Sequence, residues 1–224
     1  MPTGYRIFHS PRKERMGGGT ALLYKENLYV RQLAYGEKSS FEFSEYLINA
    51  ISQQFKLIII YRPPYSTAHP VSMSTFLDEF SKYLESIVLS KAPICICGDF
   101  NIHIDDNTNT DATSFKDLLE SMCLFQHVKQ PTHLMGHILD LIITRKSDEV
   151  VTGQPTTDKF ISDHCSILCD LQTSSTPPRS RYVSSRKLKS FDLTSFKMTS
   201  LKVLLCPVEL ALTPMVLQNY ITTH

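Results

Sequence analysis

The stretch Pro93–His103, PICICGDFNIH, changes character halfway along. Ile94, Cys95, Ile96 and Cys97 make a short apolar run, the pattern of a strand buried on both faces. Gly98, Asp99 and Asn101 then follow where that strand meets solvent. Residues i and i+2 at a strand end point the same way, so Asp99 and Asn101 are expected on one face. A Gly before them lets the backbone bend or approach a neighbour closely. A carboxylate beside a carboxamide suits activation of a water while a hydrogen bond is donated to a phosphate oxygen. The same two residue types also favour plain turns, so the pair gains meaning only from its surroundings.

Working outward, KLIIIYRPP (56–64) reads as a second buried strand, stopped by two prolines. SMSTFLDEFSKYLESIVLS (72–90) switches period. Phe76, Leu77, Phe80, Tyr83, Leu84, Ile87 and Val88 recur at three and four, which predicts an amphipathic helix. Ser74 is its expected N-cap, with Asp78 and Glu79 favourable in the early turns. NIHIDDNTNTDAT reads as a polar loop, and Phe115, Leu118, Leu119 and Met122 predict a second helix. TALLYK and LYVRQLAY read as strands joined by a turn at Lys25–Asn27. FEFSEYLINAI alternates as a strand does, with a helix left open; HILDLIIT and CSILCDL are further strands. Strands outnumber helices before residue 171. The expectation is an α/β domain over 1–171, with sheets packed on each other and helices outside. A basic Ser/Thr/Pro-rich linker and tail follows over 172–224, with a short helix possible near SFDLTSFKMTS.

The chain of 224 residues has 42% hydrophobic content and a net charge of +1, so the whole-chain field singles out no partner. Residues 171–202 carry Arg179, Arg181, Arg186, Lys187, Lys189, Lys197 and Lys202 against the single acid Asp192. A solvated tail or a weak nucleic-acid contact both follow from that run. Six cysteines lie at 95, 97, 123, 165, 169 and 206 with no CxxC pair. They read as small buried hydrophobes in a reducing compartment, and zinc is not expected. The start, MPTGYRIFHSPRKERMGGG, has no apolar signal core. LIII is far short of the about 20 residues that cross a bilayer. The expectation is an intracellular protein, nuclear or cytoplasmic, without a membrane partner or a small-molecule cofactor.

Further polar residues stand at strand ends. FISDHCSI places Asp163 and His164 before an apolar strand. A His beside an acid can orient, ligate a metal or donate a proton, and it can also simply cap a loop. Asp140 sits in an otherwise apolar strand, where a carboxylate needs a partner, and His164 is the obvious one. Tyr61 closes a strand and can be mere packing; QPTH (130–133) can be a simple turn. In a sandwich of sheets, however, Tyr61, Asp99, Asn101, Asp140, Asp163 and His164 can converge on one mouth.

The ordered set YRPP, GDFNIH, PTH, LDLIIT and SDH resembles the endonuclease/exonuclease/phosphatase superfamily, most closely the endonuclease domain of non-LTR (LINE-type) retrotransposons. The GGG before TALLYK and the basic RKLKSFDLTSF resemble that group too. The resemblance covers about residues 4–171 well and the tail to about 200 loosely. It implies a four-layered α/β sandwich, a divalent metal (usually magnesium) and nicking of a DNA strand. It further implies that Asp99 activates the attacking water and Asn101 contacts the scissile phosphate. By the same token His164 stabilises the charged phosphorane-like state, Asp140 orients His164, and Asp163 lies at the metal side. Tyr61 would hydrogen-bond the phosphate, and Thr132 would sit at the DNA-facing rim. A metal and fixed donors of this kind offset charge that grows on the phosphate.

One departure stands out. The family carries an N-terminal strand with an Asn, and then a strand-end Glu on the metal, both ahead of the GGG segment. Here MPTGYRIFHSPRKERMG precedes it, with no buried strand expected and Glu14 flanked by Lys13 and Arg15. The expectation is an N-terminally truncated domain that lacks this Glu, with an unpaired sheet edge and Asp163 as the main remaining metal carboxylate. Two alternatives follow. One is another phosphoesterase of the superfamily (abasic-site nuclease, deadenylase, phosphoinositide phosphatase), although GHILDLIIT differs from the Arg-Ile-Asp-Tyr-like version usual in the repair enzymes. The other is a non-catalytic remnant that binds nucleic acid weakly through residues 179–202.

Overall fold

A computed structural model describes residues 2–12, 18–49, 54–160 and 162–172. The chain order is β1 (Tyr5–Ser10), β2 (Thr20–Lys25), β3 (Tyr29–Glu37), β4 (Glu42–Asn49), β5 (Gln54–Tyr61), α1 (Met73–Ile87), β6 (Ile94–Asp99), α2 (Thr110–Ser121), β7 (Leu124–Gln126), β8 (Asp140–Arg145), β9 (Val151–Phe160) and β10 (Cys165–Leu171). Six strands form one mixed sheet in the order β3-β4-β5-β6-β8-β7, while β1 pairs with β2 and β9 with β10. Only β5 and β6 run parallel in the large sheet, with α1 as the crossover that a parallel pair requires.

The large sheet has two unlike faces. On one, α1 and α2 bury Phe76, Phe80, Tyr83, Phe115 and Leu119 against Ile58, Ile60, Ile94 and Ile96. Phe80 lies at the centre, 5.7 Å from Phe41, 5.7 Å from Phe100 and 5.9 Å from Phe115, ring centre to ring centre. Burying each such ring contributes about 2–3 kcal/mol. The other face receives the small sheets. Thr20 donates to Ser44 at 2.8 Å, Phe8 packs on Tyr46 at 5.5 Å, and Ile167 and Cys169 pack against the core. The protein is thus a mixed α/β fold of packed β layers with helices outside, as the sequence predicts, and α1 and α2 lie on one side.

Several local expectations are corrected. Ser72, not Ser74, caps α1, its hydroxyl accepting from the Thr75 amide, so Asp78 and Glu79 fall after the first turn. Glu79 instead accepts from the amides and hydroxyls of Ser39 and Ser40. The polar loop after Asn101 is shorter than expected, because Asn109 caps α2 by accepting from the amides of Asp111 and Ala112. The N-terminal stretch forms a strand, β1, though not a buried one: only Ser10 is buried, and Phe8 packs part-buried against the core. FEFSEYLINAI resolves to strand β4. The long strand β9 has no apolar alternation to announce it, since Gly153 and Pro155 interrupt a Thr-rich run. Glu14, Cys206 and the basic tail from 173 onward lie outside the described residues. No described helix is long and apolar enough to cross a membrane.

Candidate active site

The face of the large sheet opposite the helices carries one row of residues in register at the strand ends. Tyr61 of β5 pairs with Asp99 of β6, and Asp99 pairs with Asp140 of β8. Paired residues of adjacent strands project to the same side, so three strand-end side chains are set shoulder to shoulder.

The GDFN segment holds its polar pair by a division of labour. Gly98 has φ +142°, and a Cβ there would lie 1.8 Å from the Ile60 carbonyl oxygen, so only glycine fits this close approach. Phe100 is fully buried in the aromatic cluster under the helices and pins the turn from below. Asn101 then adopts φ +48° and folds back over Asp99. Its amide donates to Asp99 Oδ1 at 3.0 Å and its Nδ2 to Oδ2 at 2.7 Å. The strand ends at Asp99, so the shared direction of these two side chains comes from the left-handed turn and not from strand periodicity.

Arg62 is a support that the sequence reading missed. It is buried, and its guanidinium lies 5.0 Å from the Phe76 ring centre and donates to the carbonyls of Phe100 and Asn101 at 3.1 and 3.0 Å. The Arg62 carbonyl in turn accepts from Asn101 Nδ2 at 2.9 Å. Burial lowers the Arg62 pKa, while Asp111 and Asp99 oppose that fall. An arginine between a tyrosine and two prolines reads as a surface residue, and nothing local marks it as a brace.

His164 joins the row from the segment before β10. Its Nδ1 lies 2.7 Å from Asp140 Oδ2, so Asp140 fixes the ring and leaves Nε2 for another partner. Ligand atoms of Asp99, Asp140 and His164 all lie within 4.8 Å of one another. Burial, and then the neighbouring Asp140 carboxylate, raise the Asp99 pKa to about 6, against the pull of Asn101 and His164. For His164, burial acts downward. The hydrogen bond and charge of Asp140, with Asp99 and Asp163, outweigh it and raise the pKa. The site thus holds a carboxylate that titrates near neutrality beside an imidazole biased toward its cationic form.

Thr132 is placed otherwise than at a rim. It is fully buried, and its hydroxyl accepts from the amides of Leu139 and Asp140 at 3.0 and 3.1 Å. Its carbonyl accepts from the Cys165 amide at 2.9 Å. Thr132 therefore braces the segments that carry Asp140 and His164, because β8 begins at Asp140 and leaves the amides there without a strand partner. Leu134 and Met135, which follow it in the chain, are exposed. Asp163 is exposed, with Oδ2 3.6 Å from His133 Nε2, and its hydrogen bonds with Ser162 and its own backbone hold its pKa low. His133, Asp163 and His164 form a second cluster with ligand atoms within 4.8 Å. Each oxygen of Asp99 accepts one hydrogen bond from Asn101 and one oxygen of Asp140 meets His164, whereas Asp163 faces solvent beside His133 and His164. A hydrated divalent cation that uses one carboxylate plus substrate oxygens fits Asp163 on these grounds. Burial raises the thiols of Cys95 and Cys97, Cys97 to about 12, which takes both out of nucleophile range.

The family model described as endonuclease-reverse transcriptase matches residues 55–168, a span that runs from β5 through the site to β10. The chain belongs to the endonuclease-reverse transcriptase family. Solved structures of the endonuclease/exonuclease/phosphatase superfamily share its fold. An endonuclease/exonuclease/phosphatase family protein from Leptotrichia buccalis is 14% identical with a TM-score of 0.52, covering 77% of this chain and 73% of its own. D. rerio TDP2, solved in complex with a single-strand DNA product, is 14% identical with a TM-score of 0.52, covering 76% and 78%. The mannosyl-6-phosphatase Bt3783 of Bacteroides thetaiotaomicron is 13% identical with a TM-score of 0.51, covering 76% and 78%. At these identities the likeness is one of fold. No curated protein matches the chain. Within this endonuclease-reverse transcriptase member, the match begins just after β4 and so takes in Tyr61, Asp99, Asn101, Asp140 and His164.

Proposed function

We propose that this chain is a DNA-nicking endonuclease domain derived from a non-LTR, LINE-type retrotransposon, acting inside the cell with a divalent cation, magnesium. The observation that carries the reading is the hydrogen-bonded Asp140–His164 pair set against Asp99 and Asn101 at the ends of adjacent strands. In this reading the ionised Asp99 takes a proton from water. The water oxygen then forms a bond to phosphorus as the bond to the leaving oxygen breaks, and the leaving alkoxide takes up a proton from solvent. Asn101 and Tyr61 hold the scissile phosphate. His164, kept upright by Asp140, donates from Nε2 to the phosphate oxygen on which charge accumulates. Asp163 would hold the cation, which when bound offsets charge on the phosphate.

The test is nicking of supercoiled plasmid by the full chain with magnesium, alongside plain, abasic and RNA oligonucleotides. Magnesium-dependent nicking of intact DNA that Asp99→Ala abolishes supports the proposal. Cleavage confined to abasic sites or RNA moves the assignment to another phosphoesterase of the superfamily. Salt-sensitive DNA binding with no nicking makes the chain a binding remnant.

A further inference from the structure

The register row extends one strand beyond the site. Glu42 of β4 pairs with Tyr61, so Glu42, Tyr61, Asp99 and Asp140 stand in line across β4, β5, β6 and β8. Glu42 is only 5% exposed. An ionised carboxylate so placed needs compensation, and it is fully supplied. Arg12 Nε donates to Glu42 Oε1 at 2.6 Å, Arg12 Nη2 meets the same oxygen, and the Gly19 amide donates to Oε2 at 2.5 Å.

The GGG motif, which the proposed chemistry leaves unused, has its reason here. Gly18 and Gly19 hold φ of +77° and +93°. A Cβ on Gly18 would lie 2.8 Å from Arg12 Cζ and 2.9 Å from Glu42 Oε1. Gly18 and Gly19 therefore leave the room that the ion pair occupies. Arg12 also reaches the site itself, with its Cζ 6.0 Å from the centre of the Tyr61 ring, at the outer limit of a cation–π contact.

The electrostatic consequence is specific. Three carboxylates in one row would repel an anionic phosphate. Asp140 is offset by His164, and Glu42 by Arg12, so Asp99 alone is left to act as base. We propose that Arg12 is a positioning residue for phosphate binding: it cancels the Glu42 charge beside Tyr61 and seats the Tyr61 ring, without itself touching the phosphate. The inference rests on the phosphodiesterase reading above. Strand spacing puts Glu42 roughly 10 Å from Asp99, and an uncancelled unit charge at that range changes anion affinity by about tenfold.

The test is anisotropy of a fluorescein-labelled single-stranded DNA oligonucleotide without metal, using the full chain. Arg12→Gln is expected to weaken binding about tenfold. Arg12→Lys should lose less, Glu42→Gln should bind more tightly than wild type, and Arg12→Gln/Glu42→Gln should return to within about threefold of wild type. In steady-state nicking, Arg12→Gln should raise KM and leave kcat nearly unchanged. A double variant as weak as Arg12→Gln would overturn the proposal, since it would make Arg12 a direct phosphate ligand. Unchanged binding in every folded variant would overturn it too, leaving the pair purely structural. Should Arg12→Gln fail to fold, the other two variants decide against wild type: tighter binding by Glu42→Gln with a double variant within about threefold of wild type supports the proposal, and a double variant about tenfold weaker, or unchanged binding by Glu42→Gln, overturns it. Wild type that binds no oligonucleotide at all defeats the nuclease reading itself, which separates that failure from this one.

Discussion

The two faces of the large sheet solve opposite problems. On the helix side, Ile58, Ile60, Phe76 and Phe80 are at most 1% exposed, and rings fill the space between sheet and helices. On the other side the same strands end in Tyr61, Asp99 and Asp140, half-buried polar groups held by named partners. A single tripeptide shows the contrast: Phe100 goes down into the aromatic cluster, while Asp99 and Asn101 go up into the site. The packed face supplies the rigidity that lets the other face keep carboxylates close together at a cost in stability.

Gly98, where the two faces meet, is the most sensitive position. Gly98→Ala places a methyl where the Ile60 carbonyl already lies, and is expected to prevent folding or to lower stability by more than about 4 kcal/mol, read by chemical denaturation. On the packed face, Phe80→Ala should cost about 3–5 kcal/mol. On the site face, Asp99→Asn should reduce nicking by about a hundredfold or more and flatten the dependence of stability on pH between about 4 and 7. The sign follows from linkage. The folded-state pKa of Asp99, about 6, lies above its unfolded value of about 3.9, so this group's stabilising contribution is complete below pH about 4 and is lost as pH rises through about 6. Asp99→Asn should lack that fall with rising pH, while it gives up one of the two acceptors that hold Asn101. Thr132→Val, which leaves the Leu139 and Asp140 amides without their acceptor, should cost about 1–3 kcal/mol and slow nicking through a misplaced Asp140.

The packed face was legible in the sequence because its signals are periodic. The recurrence of Phe76, Phe80, Tyr83, Leu84 and Ile87 marks α1, and the apolar runs mark β5 and β6. The candidate residues stand out through their order along the chain, and the structure brings Tyr61, Asp99, Asn101, Asp140 and His164 to one place. The site's supports do not stand out. Arg62, Thr132 and Arg12 act through backbone carbonyls, backbone amides and a carboxylate some 30 to 40 positions away or at the start of the next strand, and no local pattern encodes such partners. Ser72 and Ser74 are equally good caps by type, and only the backbone bend before Met73 separates them. The strand β9 escaped for the opposite reason, since its pairing with β10 and not its own composition makes it a strand.

The central claim is that Asp99, Asp140 and His164 act together on one phosphate, with Asp99 as the base. The most direct test is the rate of magnesium-dependent plasmid nicking followed against pH. A rising limb centred near pH 6 is expected, and it should be absent from the residual activity of Asp99→Asn. Nicking by Asp99→Asn at the wild-type rate, with the same pH profile, would contradict it.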